Sequence, residues 1–221
     1  MTLDAVRSLI AHDAEAIVFL GVAIPAELEM MRGIGRLHCV SVDRADTARV
    51  TVHAGVDLFG AGRLIAEYLG QLGHRRLAIV VESDSIIGTI LTEGLAQLGT
   101  QPAVLTVGEG SLADGVLQWF ALADPPTAAI CSSDAIALAV IHACASHQIH
   151  VPGRLSVVGF GDSALARCVT PTLTSVRVPA HGAGIAAAEY LLAQFEDHAP
   201  VANPLPVKLA VRASTGPRPK G

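Results

Sequence analysis

A polar segment at the start of a predicted helix is the first feature of this sequence that could bind a ligand. Ser133 and Asp134 follow an apolar segment at 128–131 and begin a segment whose apolar residues are spaced by three and four. A hydroxyl at such a position caps the helix, and the free N–H groups of the first turn attract an acceptor atom of a ligand. Both residues are therefore candidate ligand contacts, with simple helix capping as the alternative role.

A second candidate site follows the apolar segment at 156–160. Gly161 and Asp162 come directly after it. Ligands of open α/β sheets bind beyond the carboxyl ends of the strands, so binding chemistry is expected at such positions. Asp162 could accept hydrogen bonds from a ligand or, alternatively, cap the next turn of the chain.

The sequence contains no complete catalytic or nucleotide-binding motif. The Gly-Ala-Gly segment at 60–62 is followed by Ile65 where a dinucleotide-binding motif has its third glycine, and no Lys-Ser or Lys-Thr pair follows a glycine-rich loop. Cys131 or Asp134 could act in an enzyme, but no base or orienting group can be assigned to either residue. We therefore expect no enzyme activity and no cofactor.

One cluster of potential zinc ligands lies near the end of a predicted helix. It consists of His142, Cys144, His147 and His150. Their spacing does not place all four on one helix face, and the helix dipole favours histidines at this end in any case. We expect no bound metal.

The predicted fold class is α/β, because short apolar segments alternate with segments of helical periodicity. The predicted strands are 16–20, 37–42, 77–81, 103–107, 128–131 and 156–160. The predicted helices are 60–72, 88–98, 111–122, 134–147 and 182–195, with a further helix that begins at about Thr2. This alternation is typical of parallel strands joined by crossover helices.

Composition and charge narrow the classes of protein further. Of the 221 residues, 51% are hydrophobic and 16% are charged, which allows a sizeable core. The formal net charge of −5 disfavours direct DNA binding by this chain. The sequence shows no export signal and no apolar run long enough to span a membrane. No two of its four cysteines are closely spaced in the sequence, so we expect reduced thiols and a cytoplasmic protein.

Three longer segments have a recognisable order and spacing. Residues 62–80 read GRLIAEYLGQLGHRRLAIV, residues 126–134 read PTAAICSSD, and residues 151–162 read VPGRLSVVGFGD, followed by TPTLTSV at 170–176. Each segment alone is a weak pattern, and specificity comes from the combination. Together they resemble the receptor domain of the LacI/GalR transcriptional repressors.

This resemblance implies a periplasmic-binding-protein-like fold of type I, in which two Rossmann-like lobes with parallel sheets are joined by crossing segments and hold an effector between them. It places residues 1–74 and 177–200 in an N-terminal lobe and residues 75–176 and 201–215 in a C-terminal lobe, followed by a flexible tail at 216–221. The first strand-helix-strand of the family and its helix-turn-helix head are absent from this sequence, so the N-terminal lobe is expected to be incomplete.

The resemblance also implies an effector site whose usual residues are partly replaced. Ser133 stands in place of an effector-contacting Asn, and Gly161 in place of an Asp that grips the ligand. Asp162 matches a second acidic position. Leu91 replaces a clamping Arg, and Gly110 lies where the family often has an aromatic residue.

Two further residues could line the other wall of this site. Phe59 and Asp57 lie on the segment that enters the helix at Gly62, where an aromatic ring could stack on a sugar or a base. A core position is the alternative for Phe59. Because polar anchors are few, a less polar effector than the usual sugars and purines, or loss of sensing, is also open.

The function that the resemblance implies is that of an effector-sensing domain of a LacI-family regulator. A sugar-like or nucleoside-like molecule would control operator binding allosterically in a homodimer, with DNA contacted only through a helix-turn-helix that this sequence does not contain. The alternative is a periplasmic solute-binding protein of a sugar transporter, which the absence of an export signal disfavours.

Overall fold

The computed structural model describes residues 3–20, 38–42, 53–54, 56–82, 86–96, 99, 101–108, 111–196 and 204–219. The chain divides into two compact units. The first comprises Met1–Asp57 with Pro179–Pro206, and the second comprises Leu58–Val178 with Val207–Gly221. None of the helices within the described ranges combines the length and the apolar character that a membrane span requires.

Helices and strands alternate along the described residues. The helices are α1 (Leu3–Ala11), α2 (Leu58–Gln71), α3 (Ile86–Ala96), α4 (Leu112–Phe120), α5 (Asp134–Ser146), α6 (Leu165–Cys168) and α7 (Ala180–Phe195). The strands are β1 (Ala16–Leu20), β2 (His38–Val42), β3 (His53–Ala54), β4 (Leu77–Glu82), β5 (Ala103–Val107), β6 (Ala128–Cys131), β7 (Ser156–Gly161), β8 (Thr174–Arg177) and β9 (Lys208–Ala210). The predicted α/β class is thus confirmed.

The first unit contains a parallel sheet in the order β1-β2-β3. Alternate residues of its strands point to opposite faces. Val6 of α1 packs on one face, against Ile17, Phe19 and Cys39. Helix α7 also belongs to this unit, and the Nδ1 atom of His38 in β2 lies 3.0 Å from Oε1 of Gln194 in α7.

The second unit contains a six-stranded sheet in the order β5-β4-β6-β7-β8-β9. All neighbouring strands are parallel except β8 and β9, which are antiparallel. Strands β4, β6 and β7 are buried along most or all of their length, as their continuous apolar sequences predict. Their carboxyl ends lie at one edge of this sheet.

Helix α2 belongs to the second unit because it packs closely against α3. The two helices approach at glycines: a Cβ atom on Gly94 would lie 3.1 Å from the Cα atom of Gly62. The lobes predicted from the sequence placed residues 58–74 with the first sheet instead. The predicted lobe boundaries stay a prediction.

A buried histidine joins the amino-terminal edge of the six-stranded sheet to the C-terminal segment. His74 is 2% exposed. Its Nδ1 atom lies 2.9 Å from Thr127 Oγ1, and its Nε2 atom lies 3.0 Å from the carbonyl oxygen of Gly216 and 3.3 Å from Ser156 Oγ. A neutral ring protonated at Nε2 satisfies these partners, since Nε2–H donates to the carbonyl and Nδ1 accepts from the threonine hydroxyl.

Burial lowers the pKa of His74 below its ordinary value of 6.5, and the charge of Arg218 lowers it further, although the hydrogen bond to Gly216 acts in the opposite direction. Because the pKa in the folded protein is below that of the unfolded chain, the unfolded chain takes up more protons as the pH falls below 6.5. The stability that neutral His74 contributes is therefore present above that pH and lost below it.

We expect the free energy of unfolding of the wild type to fall as the pH is lowered from about 7.5 to 5.5. His74 contributes at most about 1.4 kcal/mol per pH unit to this decrease. Urea denaturation at several pH values measures this slope. His74→Gln is the control, because it cannot titrate in this range and should show a shallower slope. Equal slopes in the two proteins would contradict the assignment.

Gly159 in β7 lies where the sheet contacts Asp134 and Leu173. A methyl group at this position would overlap Asp134 Oδ1 and lie 2.7 Å from a methyl carbon of Leu173. We expect Gly159→Ala to lower the free energy of unfolding by about 1–3 kcal/mol, as overpacking does. In Gly184→Ala, by contrast, the added methyl of an α7 glycine meets no atom within 4 Å. That control should be neutral or stabilising by up to about 1 kcal/mol, and urea denaturation compares the two.

Candidate functional site

The carboxyl edge of the six-stranded sheet brings together four of the residues predicted to bind a ligand. Ser133 and Asp134 begin α5 directly after β6 and Ser132, whereas Gly161 ends β7 and Asp162 follows it. Since β6 and β7 are neighbours in the sheet, these residues meet at one place. Their side chains, however, are used in different ways.

Ser133 and Asp134 are both engaged by protein groups. Ser133 is the N-cap of α5, and its Oγ atom accepts a hydrogen bond from the Ile136 N–H at 3.3 Å. Asp134 is 4% exposed; its Oδ1 accepts from Ser175 Oγ, and its Oδ2 from the Ser163 N–H, both at 2.6 Å. These bonds are those of structural residues, so a direct effector contact by either residue stays a prediction.

Gly161 and Asp162 have backbone conformations that L-amino acids with side chains rarely adopt. The φ angle is +121° at Gly161 and +50° at Asp162. The left-handed region near +50° is tolerated by Asp, whereas +121° is accessible to glycine alone without strain. A residue with a side chain would therefore be strained in the conformation that Gly161 adopts here.

The carboxylate of Asp162 is the centre of a group of arginines. Its side chain is 1% exposed, and three guanidinium groups surround it. Arg177 Nε donates to Oδ2 at 2.6 Å, Arg212 Nη2 donates to Oδ1 at 2.5 Å, and Arg167 Nη2 lies 3.6 Å from Oδ2. The Asp162 N–H also donates to Ser175 Oγ at 3.0 Å, which links this group to Asp134.

The electrostatics of this group favour an ionised carboxylate. Burial alone would raise the pKa of Asp162, but hydrogen bonds from Arg212 and Arg177, together with their charges, outweigh it and lower the pKa below its ordinary value of 3.8. Asp162 therefore stays charged at neutral pH. Its part in holding the loop after β7 is structural, and a direct contact with an effector stays a prediction.

Ser132 is a binding candidate that the sequence did not distinguish from its neighbours. It is 4% exposed, and within the described part of the chain its Oγ atom has no hydrogen-bond partner. A buried hydroxyl left unpaired is costly, so such atoms usually have a water or ligand partner. No pattern in the sequence could have identified this atom, because its isolation results from how the strands pack.

The remaining predicted site residues lie outside this network. Leu91 is buried in α3 at 1% exposure, and Phe59 is 45% exposed on α2. Asp57 belongs to the first unit, where its N–H donates to the carbonyl oxygen of Leu205 at 2.9 Å. Gly110 lies outside the described residues. An effector role for any of these four stays a prediction, and burial does not favour one for Leu91.

The buried cysteines of the second unit are not activated as nucleophiles. Burial raises the pKa of the Cys131 thiol, with further increases from Cys144 and Asp134, and it raises the pKa of Cys144 to about 11. A catalytic thiol needs the opposite shift. Nor do three or more His, Cys, Asp or Glu residues within the described ranges form a group suited to a metal ion.

Residues 66–215 match a family described as a periplasmic binding protein-like domain. An HTH-type transcriptional regulator of Streptomyces limosus is 34% identical over a region that covers 61% of this chain and 42% of its own length. The arabinose metabolism transcriptional repressor of Geobacillus stearothermophilus is 28% identical, over 61% of this chain and 41% of the repressor.

Solved structures give the same result for the fold. A LacI transcriptional regulator from a Rhodococcus species superposes with a TM-score of 0.84 at 28% identity, covering 98% of this chain and 83% of that structure. This similarity confirms the predicted architecture of parallel α/β sheets. The chain spans less than half the length of the Streptomyces and Geobacillus regulators.

Removing the charge of Asp162 should destabilise the second unit. We expect Asp162→Asn to lower the free energy of unfolding by roughly 3 kcal/mol. This value is near the lower end of the range for breaking a buried ion pair, because two of the three arginines are largely exposed. Asp124→Asn is the matched control: its carboxylate pairs with Arg76 at 3.4 Å but is 81% exposed, so the loss should stay below about 0.5 kcal/mol. Urea denaturation at neutral pH measures both, and equal losses would contradict the structural role of Asp162.

Proposed function

Because the chain belongs to the periplasmic binding protein-like family, as the effector-binding domain of LacI-type regulators, we propose that it senses a small molecule on behalf of a transcription regulator. DNA would be contacted by a helix-turn-helix segment outside these 221 residues. The observation that supports this most is the family match over residues 66–215, which includes the whole carboxyl edge of the six-stranded sheet.

We place the effector at that carboxyl edge. The unpaired hydroxyl of Ser132 is available to bond a polar atom of a sugar-like or nucleoside-like ligand, and the exposed backbone of Gly161 lies at the same edge. Asp134 and Asp162 would act indirectly, by holding the two loops through Ser175 and the arginines. The exposed ring of Phe59 is a candidate for stacking on a ligand.

Sensing requires that the effector bind one state of the regulator more tightly than another, since only this difference in affinity can shift the equilibrium. We propose a cytoplasmic homodimer as the assembly in which that shift changes operator binding. The transport alternative is not favoured, because the relatives described above are transcriptional regulators.

Thermal unfolding in the presence of candidate effectors tests this function. A ligand that binds only the folded chain raises the melting temperature, so we expect at least one compound to do so among neutral sugars, nucleosides, sugar acids and sugar phosphates. Ser132→Ala removes one hydrogen bond to the ligand, so the affinity of the variant for that ligand should be lower by roughly three- to ten-fold. Ser146→Ala is the control, because the hydroxyl of Ser146 is exposed and donates to the carbonyl oxygen of His142 in its own helix.

The proposal fails if the chain unfolds cooperatively but no compound in these classes changes its melting temperature. A ligand that binds equally well to Ser132→Ala and the wild type would contradict the placement of the site and leave the sensing function intact.

A further inference from the structure

Positive charge around Asp162 exceeds what its carboxylate can neutralise. Four cations lie there: Arg167, Arg177 and Arg212, which contact that carboxylate, and Lys208, which adjoins Arg177. In the part of the chain that the structure describes, the same network contains one other carboxylate, the buried Asp134. Four cations thus face two carboxylates, in a chain whose formal net charge is −5.

Lys208 makes this excess harder to explain as structural. It is the direct partner of Arg177 in the antiparallel pair β8 and β9, so the two side chains lie on the same face of the sheet. Like charges at such positions repel and destabilise the pair. Lys208 is exposed, and it makes no ion pair or side-chain hydrogen bond with any residue that the structure describes. A bound anion would remove this repulsion.

Two of the arginines have donors to spare. Arg212 is only 15% exposed; its Nη1 donates to the carbonyl oxygen of Leu173 and its Nη2 donates to Asp162. Arg167 and Arg177, in contrast, are 61% and 53% exposed, and each contacts Asp162 through a single nitrogen. Their remaining N–H groups can form the paired, charge-assisted hydrogen bonds that guanidinium makes with carboxylate and phosphate.

We propose that Arg167, Arg177 and Lys208 form an anion-binding site, and that the effector has a carboxylate or phosphate group that occupies it. The role of this ligand as effector rests on the proposed function, whereas the site itself rests on the charges described above. The ligand is a small molecule, because the acidic net charge of the chain disfavours a nucleic acid.

Isothermal titration calorimetry on the full chain tests the site with inorganic phosphate, D-glucuronate and D-glucose 6-phosphate, with D-glucose as the neutral match. Inorganic phosphate and D-glucuronate show whether the site binds a phosphate or a carboxylate group. We expect at least one of the three anions, phosphate, glucuronate or glucose 6-phosphate, to bind more tightly than glucose. Their affinity should fall as ionic strength rises from about 0.05 to 0.5 M.

Charge-removing variants locate the site. Lys208→Gln and Arg177→Gln should each weaken anion binding by roughly five- to ten-fold. Arg63→Gln is the matched control, since it removes the same charge from an arginine of α2 that is 70% exposed and pairs with Glu67. Lys208 has no described side-chain contact to lose, so its variant should keep the fold, which circular dichroism checks.

The anion site is overturned if none of the three anions binds at about 20 mM, or if both variants bind the anions as tightly as the wild type. Binding of a neutral sugar or nucleoside that ignores these substitutions, without anion binding, rejects the site but leaves the sensing function standing. Failure of every compound, neutral or charged, contradicts the sensing function as well. Tighter binding of duplex DNA than of phosphate would also overturn a small-molecule site.

Discussion

A buried negative charge needs partners, and the carboxyl edge of the six-stranded sheet is built around that requirement. The carboxylate of Asp162 joins the loop after β7 to the end of β8 through Arg177, to the C-terminal segment through Arg212 and to α6 through Arg167. Ser175 extends the network to Asp134 at the start of α5. The loops that would contact a ligand therefore depend on ion pairs between residues that are distant in the chain.

This network changes how the polar residues of the edge are understood. Asp134 looks like a ligand contact in the sequence, but in the structure both of its oxygens accept hydrogen bonds from the protein. Ser132, two residues before Asp134, has a buried hydroxyl that finds no hydrogen-bond partner among the described residues. The side chains available to a ligand are thus partly those that the network leaves unused, including the outer arginines and Lys208.

Much of the fold could be predicted because its signals are local. Strands β4, β6 and β7 are continuous apolar segments, and the five helices predicted with both bounds differ from the observed ones by no more than two residues at either end. Short elements such as α6 and β9 were not predicted, since three or four residues show no periodicity. Helix α2 packs with the second unit because of the close approach of Gly62 and Gly94, which the sequence does not reveal.

The sequence by itself determined the α/β class, the family and the strand ends at which ligand chemistry was expected, because each depends on residues that are near one another in the chain. Only the tertiary structure decided which of those polar groups are already bonded. Arg212 is 50 residues from the carboxylate that it neutralises, and Lys208 is 31 residues from the arginine that it opposes. Such charges meet through strand order and register, which the type of each residue does not specify.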